Sequence, residues 1–217
     1  MPKELLILPG DGSGPWVTNE AVRVVERLTD VEVVEASVGA EAYRMTDRYL
    51  PVETSELAAE ADAILCGYVE PQDNPLYRNP YKTLMLELNL FATVKDFVPA
   101  YKNAGTLTLV SDNPEILVTT MEKEKVDGVV CERFITSENT TKMFATAARF
   151  ADIRKHGAIT CIHNSKIFPL ADREFIKRFN QTFAAKRSFF QKDIWEFAAE
   201  VIPRSYEPGI YVCTDMQ

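Results

Sequence analysis

The chain has 217 residues, 46% hydrophobic and 26% charged, which supplies apolar side chains for one large or two small cores and excludes disorder or a coiled coil. Lys and Arg number 24 against 32 Asp and Glu, and the resulting net charge of -8 opposes a phosphate backbone, so no nucleic-acid partner is expected. Four scattered cysteines without a C-x-x-C pair, and only two histidines, indicate neither a zinc site nor a redox motif and predict reduced, buried thiols. The first apolar stretch is only a strand's length, unlike a secretory signal, and no run reaches membrane-spanning length. No membrane partner and a cytoplasmic location are the expectation.

Short apolar runs alternate with amphipathic segments, the arrangement of a mostly parallel sheet flanked by helices, so the fold class is α/β. Residues 5–8 form a strand, a Gly/Pro turn follows, and 17–28 form a helix with Val17, Ala21, Val25 and Leu28 on one face. Residues 31–38 return as a strand. Thr54 caps a short helix reaching residue 59, and DAILCG at 62–67 is a buried strand. A proline-rich loop at 71–80 leads into helix formers at 83–91, and a boundary near Pro99 divides the chain into domains 1–98 and 99–217. Strands at 106–110 and 128–130 enclose a predicted helix at 114–125. A long helix at 137–155 presents Met143, Ala147, Phe150 and Ala151. Residues 158–163 are a strand, and 172–186 place Phe175, Ile176, Phe179 and Phe183 at helical spacing, as core residues. The end of the chain reads as a helix to Val201, a proline-broken loop and a strand near 210–213. No internal repeat or low-complexity segment is present.

LPGDGSGP, residues 8–15, stands between a strand and a helix and contains Gly10, Asp11, Gly12 and Gly14. Two readings stand. The glycines serve a tight strand-to-helix turn that needs positive φ, or the backbone N–H groups approach an anion at the helix start. The spacing is neither G-x-G-x-x-G nor a phosphate-binding loop ending in Gly-Lys-Ser/Thr.

Collinear segments carry a resemblance. LPGDGSGPWV resembles the LPGDGIGPEV opening of the isocitrate/isopropylmalate dehydrogenases, and LPVETSELAAEADAILCGYV at 50–69 resembles their LP-x-ET…ADAvLlGAV segment. NLFATVK at 89–95 is similar to DLYANLR, GVVCE at 128–132 to a strand ending in Arg-Glu, and AITCIHNSKIFPLAD at 158–172 to VTSVHKANVLKLSD. The resemblance runs from about residue 5 to 183. It implies a shortened form of a two-domain parallel-sheet fold with the active site in a cleft completed by a homodimer. It also implies oxidation of a 2-hydroxy acid with NAD(P), then decarboxylation with a divalent metal.

That chemistry needs cations for substrate carboxylates, a base, a metal and a proton donor. The resemblance places the family's carboxylate-binding arginines on Met85, Lys95 and Cys131, so one cation persists at Lys95, which is either a carboxylate site or a solvated surface charge. Arg133, two residues past Cys131, shares its face on an extended backbone and is a candidate substitute. The family's V-H-K-x-N motif becomes His163, Asn164 and Lys166, with the lysine and asparagine exchanged. Two residues span about 6.6 Å on a strand, so Lys166 either returns an amine to the old position or points to solvent. His163 is a catalytic candidate or a hydrogen-bonded strand-end residue. Residues 133–136 offer no tyrosine for the family's proton donor, and the dimer clasp reads as deleted. Asp215 falls near the family's first metal-binding aspartate, and the later aspartates and adenosine-binding loop would lie beyond residue 217.

The expectation is therefore a family member with impaired catalysis that keeps a role in binding a small carboxylate or a partner subunit, assembling as a homo-oligomer or with that partner. Gly10, Asp11, Gly12 and Gly14 are the cofactor-binding candidates, with NAD(P) held weakly or not at all and Mg²⁺ not expected. The alternative is active NAD(P)-dependent oxidative decarboxylation with Lys166 as base.

Overall fold

Two sheets, one in each half of the chain, organise the computed structural model, which describes residues 3–74, 77–98, 105–112, 121–132, 135–184, 188–201 and 206–214. The chain separates into two units, Met1–Leu90 and Phe91–Gln217. The division falls ahead of residue 98 because residues 92–97 form a strand paired with the second sheet.

The first unit opens with β1 (Glu4–Leu8), α1 (Gly14–Leu28) and β2 (Glu32–Glu35), and continues with α2 (Ala40–Thr46), α3 (Val52–Glu60), β3 (Ala63–Cys66) and α4 (Pro80–Glu87). Its three strands are parallel in the order β2-β1-β3, with Leu6 opposite Val34 and Ile64. Leu6 and Leu8 pack with Val38, Ala58 and Leu84 in one core. The inward face of α1 differs from the expected one. Gly14 and Thr18 are buried and Ala21 and Val25 are half-buried, whereas Val17 and Leu28 are exposed. Small residues at i and i+4 let the helix lie close to the strand ends: a Cβ on Gly14 would stand 2.2 Å from the Pro9 carbonyl oxygen. Thr54 is not a cap. It lies inside α3, behind Pro51 at the cap position, and donates to the Ser37 carbonyl at 2.9 Å. Asn79 caps α4 by accepting from the Tyr81 and Lys82 N–H groups, which starts that helix earlier than expected.

The second unit contains β4 (Ala92–Phe97), β5 (Leu107–Asp112), β6 (Met121–Lys125), β7 (Gly128–Glu132), α5 (Ser137–Ile153), β8 (Ala158–His163), α6 (Pro169–Phe183), β9 (Ser188–Asp193), α7 (Ile194–Val201) and β10 (Gly209–Cys213). The five-stranded sheet runs β4-β5-β10-β8-β9, with β4 antiparallel and the others parallel. From β5 through β8 to β9 the chain moves one way across the sheet, and α5 and α6 pack on one face. The return to β10 runs the other way, so a right-handed crossover puts α7 on the opposite face. Alternation along the strands serves both sides. Val110, Ile159, Cys161, Ile210 and Val212 meet Phe144 and Phe175, while Leu107, Ile162, Tyr211 and Cys213 meet Ile194 and Phe197.

Three sequence expectations fail here. Residues 121–125 are a strand, not the end of a helix, and β6 and β7 form a separate antiparallel hairpin. β9 was not foreseen. Cys161 and Cys213 are buried as expected, but Cys66 is exposed. Among the described residues, no helix is long and apolar enough to cross a membrane.

Candidate functional site

In open parallel sheets, ligands bind beyond the carboxyl ends of the strands, where the direction of winding reverses. In the second unit that reversal follows β9, and the strand ends nearby carry most of the unit's chemistry. His163 closes β8 directly opposite Asp193, which closes β9. The His163 Nδ1 lies 3.2 Å from the Ser165 Oγ. Asn164 organises the following loop through its backbone. Its N–H donates to the carboxylate of Asp172, which is wholly buried in the first turn of α6, and its carbonyl accepts from the Ile167 and Phe168 N–H groups, each at 2.9 Å. The Asn164 Oδ1 is buried with no hydrogen-bond partner among the described residues.

Lys166 reaches back from this loop. Its Nζ lies 3.3 Å from the Asp193 Oδ2, with 69% of the lysine side chain exposed and only 6% of the aspartate. The other Asp193 oxygen accepts from the Trp195 N–H at 3.0 Å. That backbone donor, followed by the Lys166 ammonium, holds the Asp193 carboxyl below the usual carboxylate range. Beside β8, Thr214 continues the register that pairs Val212 with Cys161 and so stands level with His163. It is fully buried, and its hydroxyl has no partner among the described residues.

His163, Asn164 and Lys166 are thus brought together, and Asp193 joins them without having been singled out from the sequence. Lys95 is not with them. It is exposed on β4, three strand spacings from β8 or about 14 Å across the sheet. Arg133 and Asp215 lie outside the described residues. The strand that enters the sheet ahead of α5 is β5, ending Ser111–Asp112, while GVVCE is the second strand of the hairpin.

In the first unit the glycine turn is fixed by close packing. Gly10 has φ +76°, and a Cβ there would sit 2.0 Å from the Tyr68 carbonyl oxygen. The Asp11 carboxylate accepts from the Ala40 N–H at 2.8 Å and the Glu70 N–H at 3.0 Å, while the Asp11 and Gly14 N–H groups donate to Tyr68 and Asp11 carbonyls. Gly12 is different. Nothing stands closer than 4.0 Å to its Cβ position, and it borders a cavity of about 530 Å³ with Asp11, Tyr43, Tyr49 and Asn74.

A family model described as isocitrate/isopropylmalate dehydrogenase matches residues 4–216. A homoisocitrate dehydrogenase of Methanocaldococcus jannaschii is 26% identical over 198 residues, 82% of this chain and 56% of the relative. A 3-isopropylmalate/3-methylmalate dehydrogenase of the same organism is 30% identical over 189 residues, 81% of this chain and 55% of the relative. The chain spans about half the length of these curated relatives. Among solved structures, the apo form of a β-decarboxylating dehydrogenase from Thermococcus kodakarensis superposes with a TM-score of 0.85 at 24% identity, covering 99% of this chain and 64% of that one. With the strand order, the glycine turn and the β8 loop in place, the chain belongs to the isocitrate/isopropylmalate dehydrogenase family.

Proposed function

We propose that this chain keeps the family scaffold to bind a small carboxylate-bearing ligand and does not by itself perform oxidative decarboxylation. The ion pair at the ends of β8 and β9 carries this reading. Lys166 is engaged as a cation by Asp193 at 3.3 Å, whereas a general base must offer a free lone pair. The exposed side of the same ammonium remains open to a carboxylate arriving from solvent.

Relatives in this family use NAD(P) and a divalent metal. The described residues do not fit that metal: no three His, Cys, Asp or Glu side chains among them are grouped to hold an ion, and Mg²⁺ binding ordinarily combines carboxylates with substrate phosphates. No step is assigned to it. The glycine turn is a poor cradle for a diphosphate, because two of its N–H groups are internally bonded and a carboxylate stands within it. NAD(P) is accordingly held weakly or not at all. Self-association belongs to the same proposal. The β6–β7 hairpin is exposed on both faces from Lys123 to Val130, and a lone two-stranded hairpin is marginal in water without a partner surface.

The test combines turnover with binding. Purified protein is assayed with isocitrate, isopropylmalate, malate and tartrate, NAD or NADP, and Mg²⁺ or Mn²⁺, and is then melted in the presence of each acid. The proposal expects no cofactor reduction and a rise in Tm that Lys166→Met removes. Cofactor reduction lost in Lys166→Met would instead establish the second reading, with Lys166 as base.

A further inference from the structure

At the opposite end of the second sheet, on the face covered by α7, lies a cavity of about 210 Å³ that the family chemistry does not use. Its construction follows from the strand register. Tyr211 of β10 is opposite Thr160 of β8, and Thr160 is opposite Phe190 of β9, so a short hydroxyl side chain stands between two aromatic neighbours in one row. The preceding positions on this face are Gly209 and Ala158, which open their strands with little or no side chain. The row of small residues below the aromatic row leaves a slot. A Cβ on the buried Gly209 would meet nothing within 4 Å, although glycine here has no positive φ to require it.

The polar groups restrict what the slot can take. Thr160 is only 8% exposed and lines the cavity, which gives the slot one neutral hydroxyl. That hydroxyl can donate to a ligand in the slot or accept from it. Lys192 also lines the cavity, but its ammonium is matched by the Glu200 carboxylate at 2.5 Å and Glu207 adds a further carboxylate to the lining, so the site disfavours an anion. The Tyr211 hydroxyl already donates to the Glu207 carbonyl at 2.6 Å, which fixes that ring as a wall. Aromatic walls favour a flat ring, and the volume falls below the roughly 300 Å³ at which pockets for drug-sized ligands begin.

We propose that this cavity is a binding site for a neutral, single-ring heteroaromatic molecule of pyrimidine size, seated between Phe190 and Tyr211 and hydrogen-bonded to the Thr160 hydroxyl. Such a ring occurs free or as the base of a nucleoside, and the test separates these sources by comparing uracil and cytosine with uridine and cytidine.

The full chain is titrated with each compound, and with toluene and benzoate as controls, while backbone amide shifts are followed by NMR. Saturable shifts centred on Thr160, Phe190 and Gly209 are expected with the pyrimidines, and none with benzoate. Thr160→Val keeps the side-chain shape and should weaken binding roughly tenfold, the loss of about one hydrogen bond. Gly209→Leu fills the empty volume and should abolish binding while leaving the amide spectrum elsewhere and the Tm near those of the parent. If Gly209→Leu is poorly folded, Gly209→Ala serves, with partial loss expected. The proposal is overturned if no ring shifts these amides at millimolar concentration, if toluene binds as well as uracil, or if the Gly209 variants bind undiminished.

Discussion

Asp193 shows how a single carboxylate can join sheet, helix and loop. It ends β9, accepts from the Trp195 N–H in the first turn of α7 and holds Lys166 of the β8 loop. Its folded-state carboxyl titrates below the ordinary value, so the stability it contributes is fully present above the ordinary carboxylate range and is lost as pH falls through the lower folded value. Asp193→Asn should therefore lower the urea midpoint at pH 7, with the difference from the parent shrinking below about pH 4; an equal difference at every pH would sink the assignment. Gly10 and Gly12 give a second residue-scale expectation. Gly12→Ala meets open space and should cost on the order of 1 kcal/mol for its positive φ. Gly10→Ala adds a clash with the Tyr68 backbone and should cost more than twice that, read by the same unfolding experiment. His163, Asn164 and Lys166 were legible as a cluster because they are neighbours in sequence on one strand end. Asp193 was not, since only the long-range register between β8 and β9 brings it there.

At the scale of elements, the aromatic spacing in α6 was read correctly because its partners repeat with the helix. Phe144 of α5 lies 5.0 Å from Phe175, 5.4 Å from Phe179 and 6.0 Å from Phe183, centroid to centroid. Phe144→Ala should destabilise the second unit by about 3–5 kcal/mol, measured as a shift of the denaturant midpoint with unchanged m. The hairpin was misread for a physical reason. MEKEK consists of good helix formers, and propensity favoured a helix, whereas pairing with GVVCE decided the outcome. A signal was present in Val126-Asp127-Gly128: the connection between Lys125 and Gly128 is too short for anything but a tight reversal. α1 was placed correctly and its face only in part: Ala21 and Val25 are half-buried, while hydrophobicity also marked Val17 and Leu28 as inward and close approach to the strand ends favoured Gly14 and Thr18.

For the whole molecule, the fold class and family were legible because short motifs in a fixed order survive substitution. The division between units was less so, since β4 resembles the end of the first unit in sequence and joins the second through an antiparallel pairing. Self-association is testable at this scale. Val129 and Val130 are exposed on the hairpin, and Val129→Lys with Val130→Lys should shift the sedimentation profile toward the monomer while leaving the far-UV spectrum unchanged. A parent protein that sediments as a monomer at all concentrations would remove that part of the proposal.

The strand order has one more effect, on the timing of assembly. β10 lies between β5 and β8 and is the last of the described strands to leave the ribosome. Until residues 209–213 emerge, a nascent chain holds an open gap in the middle of its sheet, flanked by two apolar inner edges that cannot pair with each other without a change of spacing. Those edges are templates for other chains. A chain truncated just before Gly209 should be a sticky, chaperone-bound species, and restoring the five residues of β10 should let the sheet close.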